Sequence, residues 1–451
     1  MRERSFRNQL TSIVVIGALW RLVILAIKWH KQLLLNDSFY YSVQAAELAT
    51  GHGYVQPFTD QPGAEHGPLT STLMAIVSFG HNPVPYQRIV TMLGGIATLA
   101  VIGLIGRRLA GNRAGLFAAA IAAVYPNLWM NDGLVMSESV SVLVVVLWLL
   151  AMLRFVDRPM PRSALLVGVL LGLAALARSE LIVLLALVAV FCWFVLRKDG
   201  GRKRLVAIVV GAAVVTISPW VIYNLSRFQD PVTLSTNDGT TLAGAYCDRV
   251  FHGPELGGWS LLCLSDDPLD GTIHEPSVMS AHRRTVALDY LRHHLSEMPK
   301  VEAARVGRTL DVFGLHNLVF QDVGEERWHW ASWSGIITFW LLAPMSVLGL
   351  RQLRRSHRWL LILPCLCVLA TTLAFYGTHR IRSSMEPMVV LGAAIWLAQL
   401  SIQGAVPGSR RGSAARSSSS SRSASGSRPE SPWRSSITDP NSSTTASNAG
   451  L

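Results

Sequence analysis

The most informative absence in this 451-residue chain is charge. Only 15% of its residues are charged, whereas a soluble globular protein carries about 25%. Half of the residues are hydrophobic, and they form runs of roughly 15–20 residues with almost no charge, a length that can cross a bilayer. The composition therefore excludes an ordinary soluble domain and predicts a polytopic membrane protein.

Three further absences narrow the class of protein. No cysteine pair has the CxxC spacing of a metal site, although Cys247 and Cys263 share one polar segment and a disulfide is open to them if that segment faces an oxidising exterior. No small-residue cleavage site follows the first apolar run, so we predict a retained helix. The net charge is +12, but no basic groove or base-stacking motif accompanies it, so nucleic-acid binding is not expected.

Ten apolar segments are predicted to be transmembrane helices. They lie at about 10–29, 87–106, 113–130, 138–154, 163–178, 181–197, 204–224, 333–350, 358–376 and 384–402. The two segments between 163 and 197 are short for a span, so the count is open there.

The loops between these segments alternate in charge. Those that read "RERSFR", "GRRLAGNR", "RFVDRPMPR", "RKDGGRKR" and "RQLRRSHR" are short and basic. Such loops face the cytoplasm, which places both termini inside and the loops 30–86 and 225–332 outside.

This topology divides the chain into four parts. We predict an N-terminal membrane core at 1–224, a long outer loop at 225–332, C-terminal membrane helices at 333–402 and a cytoplasmic tail at 403–451. Within the long loop, 280–315 has helical spacing of its apolar residues and is predicted to form an amphipathic helix. The tail is rich in Ser and Arg and too poor in apolar residues to fold, so we expect disorder.

The unusual polar residues gather at the outer ends of the predicted helices. They are Asp37, Asp132, Glu138, Arg178, Glu180, His379, Arg380 and Arg382. Any one of them could simply be a charge where a helix end meets water. The short turns nevertheless hold all of them near one membrane surface, and acids are mixed with bases, which together predict a site. Arg21 lies within the first span, where a cation is expected to pair inside the bundle.

Several stretches carry a family resemblance. They are "NDSFYYSVQAAELATGHGY", "AEHGPLTSTLMA", "GRRLAGNRAGLFAAAIAAVYP", "MSES", "SPWVIYNLSRFQDPVTLSTNDG" and "YGTHRIRSSMEPMVVLGAA". In order and spacing, over residues 10–402, the chain resembles the GT-C membrane glycosyltransferases, in the branch of protein O-mannosyltransferases and lipid A aminoarabinose transferases. The resemblance implies an all-α bundle of about ten transmembrane helices. It also implies transfer of a sugar from a polyprenyl-phosphate carrier to an outer-face hydroxyl, with inversion at the anomeric carbon.

The resemblance also implies roles for the acids. Asp37 occupies the place of the acid in the first outer loop, the proposed general base, and a carboxylate there can take the acceptor's proton as the new bond forms. Many relatives have two adjacent acids, whereas this chain has Asn36-Asp37, so a single base has to suffice. Glu138 matches the second acid best. Asp132 is the less exact match and could instead be a helix cap.

The remaining candidates concern the donor. A departing lipid phosphate needs nearby positive charge, which Arg178, His379, Arg380 and Arg382 could supply, unless they only anchor lipid head groups. Three possible substrate contacts complete the set: Glu180, Tyr40, and His66, which lies in His66-Gly67-Pro68 where relatives often have His-Pro-Pro and which could equally be a cap.

Several points stay open at this stage. Some relatives bind a divalent ion through the second acid and others need none, and two carboxylates alone are a weak metal signal. A protein, a lipid and a polysaccharide remain possible acceptors. A transporter or lipid flippase is the main alternative function, but it predicts an internal repeat and polar residues near the midplane, and we find no repeat. A structural partner in a cell-envelope complex, with the long loop as its binding module, is a third.

Overall fold

The computed structural model describes residues 2–34, 36–196, 201–269 and 271–403. Throughout those ranges the ordered elements are helical, apart from one isolated bridge between Val55 and Pro62. The predicted all-α class is therefore confirmed. The predicted tail lies, from residue 404 onward, outside the described residues.

The helices of the membrane part begin and end as follows. They are α1 (Arg2–Lys28), α2 (Asp37–Thr50), α3 (Pro68–Ala75), α4 (Val84–Val124), α5 (Pro126–Trp129), α6 (Glu138–Asp157), α7 (Pro161–Ala177), α8 (Ile182–Val195) and α9 (Gly201–Leu225).

The outer loop and the C-terminal part supply the rest. They are α10 (Asn237–Ala245), α11 (Asp248–His252), α12 (Leu262–Ser265), α13 (Pro276–His293), α14 (Met298–Thr309), α15 (Leu315–Gly324), α16 (His329–Arg351), α17 (Arg355–Ala374) and α18 (Glu386–Gln403). Short 3₁₀ turns occupy Ser179–Leu181, Leu295–Glu297 and Ile381–Ser384.

Six of the described helices are long and apolar enough to cross a membrane: α1, α4, α6, α9, α16 and α17. Three shorter apolar helices comprise Pro161–Ala177, Ser179–Val195 and Glu386–Ser401. All ten predicted segments overlap helices, but the count of ten spans stays a prediction.

The 41-residue α4 contains two of the predicted segments. Its backbone leaves the helical conformation at Ala110 and Gly111, where Gly111 takes a φ of 87° that favours glycine. The two halves then pack against each other, because a Cβ on Gly106 would lie 3.0 Å from Ala118 and 3.1 Å from Gly115. Small residues allow membrane helices to approach this closely. The basic stretch "GRRLAGNR" is thus the tip of a helical hairpin.

The core of the membrane part surrounds α6. This helix is apolar on all sides and buries Trp148, Leu149 and Met152 completely, as expected for a helix inside a bundle. Beside it, the Arg21 Nε donates to Asp132 Oδ2 over 2.6 Å, and both side chains are buried. This confirms that Arg21 forms an internal ion pair.

The long outer loop has a small core of its own. Tyr246, Val250, Phe251 and other apolar residues form it, and a disulfide joins Cys247 to Cys263. The predicted helix at 280–315 is divided into α13 and α14, because Pro299 in the first turn of α14 cannot continue the preceding helix. Arg305 on α14 donates to the carbonyl of Leu373 at the end of α17 over 2.8 Å, which fastens the loop to the membrane part.

Candidate active site

A cavity of about 400 Å³ lies where the ends of several helices meet the outer loop. Its charged lining residues are Asp37, Glu65, His66, Arg178, Glu180, Asp238 and Arg380. The cavity thus brings together five of the predicted site residues from four separate segments of the chain.

Asp37 is the first residue of α2. The preceding Asn36 caps this helix, since its side chain accepts from the Ser38 amide over 2.9 Å and donates to the carbonyl of Gly324 over 2.9 Å. Asn36 therefore has a structural role, because it caps α2 and binds the outer loop. It leaves Asp37, whose side chain is 30% exposed, facing the cavity.

Arg380 and His66 flank the Asp37 carboxylate. Arg380 Nη2 donates to its Oδ2 over 2.5 Å, and His66 Nε2 lies 3.5 Å from its Oδ1. Burial alone would raise the pKa of Asp37, but Arg380 and His66 outweigh it and hold that pKa well below its usual range. Burial would likewise lower the pKa of His66, and the Asp37 charge raises it instead.

Arg380 contacts three carboxylates at once. Besides Asp37, its Nε donates to Glu138 Oε1 over 2.6 Å, and its Nη1 donates to Glu325 Oε1 over 2.8 Å. A guanidinium presents five N–H donors in a rigid plane, which suits such a junction. Burial would lower the pKa of Arg380, but the charges of Glu138, Glu325 and Asp37 raise it well above its usual value. This side chain therefore stays charged.

Glu138 joins the two arginines that line the cavity. Its Oε1 also accepts from Arg178 Nη1 over 2.9 Å, and the side chain is only 1% exposed. Arg178 lies just after the end of α7 and donates from Nε to Glu180 Oε1 over 2.5 Å. Two guanidinium groups that line the cavity are therefore held beside one carboxylate.

The other predicted cations lie outside the cavity lining. His379 contacts Asp311 over 3.0 Å and Asp322 over 2.9 Å. Arg382 is fully buried between Asp311 and Glu386, at 2.7 and 2.5 Å. The physical reason is the tight turn that starts at His379, where the Arg382 amide donates to the His379 carbonyl over 3.1 Å, and that continues into the 3₁₀ turn at Ile381–Ser384, because successive side chains of such a turn point in different directions. Of His379, Arg380 and Arg382, therefore, only Arg380 lines the cavity.

Two further predicted residues also lie behind the lining. Asp132 is engaged by Arg21 and by Ser139 Oγ, which donates to it over 2.8 Å. Tyr40 is buried, and its hydroxyl accepts from the backbone amide of Glu65 over 3.0 Å. Tyr40 therefore positions the 65–66 segment.

The sequence did not lead us to two residues of the site, Glu325 and Tyr41, whose ring stacks on His66. The signal for Glu325 was available, since "GEERW" is a charged run directly before an apolar helix. Glu325 contacts Arg380 and its near neighbour Arg327, Glu326 contacts Arg88, and Arg327 also contacts Asp322. Tyr41, which stacks on His66 with ring centroids 4.7 Å apart, had no such signal.

The donor set does not fit a divalent cation at this place. Glu138, the second acid through which some relatives bind such an ion, and Asp37, which shares Arg380 with it, are both engaged by guanidinium groups. In the part of the chain that the structure describes, no group of three or more His, Cys, Asp or Glu residues is arranged to hold a metal ion.

Comparisons with known proteins agree with this architecture. Residues 65–223 match the family model described as dolichyl-phosphate-mannose-protein mannosyltransferase. A search of curated proteins finds no significant match.

Among solved structures, the chain is similar to the oligosaccharyltransferase AglB of Archaeoglobus fulgidus. The complex of AglB with an inhibitory peptide and a dolichol-phosphate matches with a TM-score of 0.53 and 15% identity, covering 90% of this chain and 52% of that one. An apo form of the Archaeoglobus fulgidus oligosaccharyltransferase gives a TM-score of 0.51 and 14% identity, covering 87% and 51%. The chain thus spans about half the length of the oligosaccharyltransferase chains that it matches.

The fold therefore defines a class: this is a multi-pass membrane protein with the GT-C glycosyltransferase fold. Within that class, the family match over residues 65–223 confirms the predicted resemblance to the protein O-mannosyltransferase branch.

Proposed function

We propose that this protein transfers a sugar from a polyprenyl-phosphate carrier to an acceptor hydroxyl on the outer side of the membrane. The observation that carries the proposal is one cavity in which a carboxylate, Asp37, faces the same space as two guanidinium groups, Arg178 and Arg380. Glycosyl transfer needs a base for the acceptor and positive charge for the leaving phosphate. The family match over 65–223 supports the same reaction class.

The carrier phosphate is assigned to Arg178 and Arg380. Both guanidinium groups donate to the same oxygen of Glu138, Oε1, so their donors converge on one point, and a phosphate oxygen can accept from both in the same way. The apolar side of the cavity, formed by Ile182, Val183 and Ala370 of α8 and α17, would take the start of the polyprenyl chain. The chain could then continue into the bilayer.

The bonds change as follows. The acceptor oxygen attacks the anomeric carbon from the face opposite the phosphate, and Asp37 takes the hydroxyl proton. The bond between the anomeric carbon and the phosphate oxygen breaks, and its electron pair leaves with the polyprenyl phosphate. Arg178 and Arg380 stabilise the charge that develops there. Attack from the opposite face inverts the anomeric carbon.

Arg380 also links donor binding to the strength of the base. While it holds Asp37, the pKa of that carboxyl is too low for efficient proton abstraction. A carrier phosphate competes for the same guanidinium and neutralises part of its charge. Asp37 is then released as a stronger base only when a donor is present.

The test compares membranes from cells with and without the gene. A labelled polyprenyl-phosphate sugar is added, and label in protein, lipid and polysaccharide fractions is measured. We expect one fraction to be labelled only by membranes that contain the wild-type protein. Movement of the intact carrier across the membrane, with no sugar transfer to any fraction, would contradict the proposal and favour a flippase.

A further inference from the structure

The cavity has three chemically different sides. Ile182, Val183 and Ala370 from the membrane helices form an apolar side, and Arg178 and Arg380 form the charged side. The third side comes from the outer loop and carries mainly uncharged polar groups, together with one acid, Asp238. We call it the polar strip; its cavity-lining residues are Thr233, Leu234, Ser235, Asn237, Asp238 and Thr241.

The polar strip is held rigidly. Ser235 Oγ donates to the carbonyl of Glu65 over 2.5 Å, and the Thr236 amide donates to the carbonyl of Ala64 over 2.8 Å. At the start of α10, the Asp238 carboxylate accepts from Arg284 Nη2 over 2.7 Å, so its charge is compensated. Helix α10 also packs closely on α13, because a Cβ on Gly239 would lie 2.1 Å from the carbonyl oxygen of Ser280.

Three side chains of the polar strip have unused hydrogen-bonding capacity. Within the described residues, the side chains of Thr233, Asn237 and Thr241 have no hydrogen-bond partner, although all three line the cavity. Hydroxyl and amide groups can each donate and accept. Held on a fixed surface, such groups match the hydroxyls around a sugar ring, each of which also both donates and accepts.

We propose that Thr233, Asn237 and Thr241 form the subsite for the sugar of the carrier, and that this sugar carries no negative charge. The inference rests on the proposed function. A polyprenyl-phosphate sugar has an apolar chain, a phosphate and a polar ring, in that order, and the three sides of the cavity offer the complement of each part. The ring belongs on the side away from the bilayer, which is where the outer loop supplies the strip.

The charges near the strip disfavour an acidic ring. Glu65 also lines the cavity, and within the described residues the hydrogen bond of its carboxylate comes from the neutral Gln56 amide, over 3.3 Å. The two lining guanidinium groups, Arg178 and Arg380, are assigned to the phosphate. The carboxylate of a uronic acid would therefore meet the like charge of Glu65.

The experiment measures binding of two kinds of carrier to the purified full-length protein in nanodiscs. One is undecaprenyl phosphate without a sugar. The other is a panel of undecaprenyl-phosphate mannose, glucose, galactose, arabinose and glucuronic acid. The variants are Thr233→Val, Asn237→Leu and Thr241→Val, which remove polar atoms with little change of volume, and Thr285→Val, on the exposed face of α13, is the matched control.

We expect the wild type to bind at least one uncharged sugar carrier more tightly than undecaprenyl phosphate. Each strip variant should lose affinity for that carrier by roughly tenfold, as for one lost hydrogen bond, and keep its affinity for undecaprenyl phosphate. Thr285→Val should change neither. Equal losses with and without the sugar, unchanged binding of every carrier, or preferred binding of the glucuronic acid carrier would overturn the inference. Failure of the wild type to bind undecaprenyl phosphate would instead contradict the proposed function itself.

Discussion

At the scale of single residues, the site depends on arginines that each pair with several carboxylates. Arg380 alone contacts Asp37, Glu138 and Glu325, at 2.5 to 2.8 Å. Three carboxylates that converge without it would repel one another in a partly desolvated place. The same arginine therefore serves the stability of the site and, in our proposal, its chemistry. Among the described residues Arg178 contacts two acids, Glu138 and Glu180, and it is therefore the better residue on which to test phosphate binding.

We predict that Arg178→Ala weakens binding of undecaprenyl phosphate. The variant removes one of two guanidinium groups assigned to the phosphate, and a charged hydrogen bond of this kind is worth about 1.5–3 kcal/mol. Carrier affinity should fall by one to two orders of magnitude when titrated in nanodiscs. Arg292→Ala, on the exposed part of α13, is the control and should bind normally. Equal affinity of wild type and Arg178→Ala would remove this arginine from the phosphate site.

His379 gives a prediction about pH. Burial would lower its pKa, but Asp322 and Asp311 raise it to about 10, from about 6.5 in an unfolded chain. A raised folded-state pKa contributes stability that is complete below pH 6.5 and is lost as the pH rises toward 10. The melting temperature of wild type should therefore exceed that of His379→Gln most at pH 6, with the difference shrinking by pH 10. A difference that stays constant over this range would contradict a charged His379.

At the scale of elements, close packing decides where helices can meet. A Cβ on Gly95 of α4 would lie 2.0 Å from the Asp132 carboxylate, so this glycine makes room for the buried Arg21–Asp132 pair. We predict that Gly95→Ala separates the pair and destabilises the protein by about 3 kcal/mol, since breaking a buried ion pair is expensive. The measurement is thermal unfolding in detergent.

The control for this substitution is Gly211→Ala in α9. Nothing lies within 4 Å of a Cβ at Gly211, and alanine is the better helix former by about 1 kcal/mol. This variant should be neutral or slightly stabilising. If Gly95→Ala were as well tolerated as Gly211→Ala, the Arg21–Asp132 pair would not depend on that space.

The sequence predicts the positions of the helices better than it predicts their packing or the direction of individual side chains. The apolar runs predict where helices lie, and every predicted run overlaps one. The sequence predicts that the two halves of α4 are joined by the short loop "GRRLAGNR", but not that they approach as closely as they do at Gly106, because that depends on small residues distributed along both halves. In the same way, topology predicts that Asp37, Arg178 and Arg380 share one membrane face. It does not predict that His379 and Arg382 point away, since a 3₁₀ turn decides this.

At the scale of the whole molecule, the proposed chemistry requires one orientation in the membrane. The basic loops predict that both termini face the cytoplasm and that the cavity faces outward. We predict that a cysteine introduced by Thr285→Cys is labelled in intact cells by a membrane-impermeant maleimide. A cysteine introduced by Arg158→Cys, between α6 and α7, should be labelled only after the cells are permeabilised. The reverse pattern would place the cavity on the wrong side for an outer-face acceptor.

The central claim is that Asp37 acts on the acceptor and is not needed to bind the carrier. The most direct measurement determines carrier affinity and sugar-transfer turnover on the same preparation of Asp37→Asn in nanodiscs. Asp289→Asn, on the exposed surface of α13, serves as the control. We predict that Asp37→Asn binds undecaprenyl phosphate at least as tightly as wild type, while turnover falls by about 10²–10⁴-fold, the range of general-base catalysis. Turnover equal to that of wild type would contradict the account.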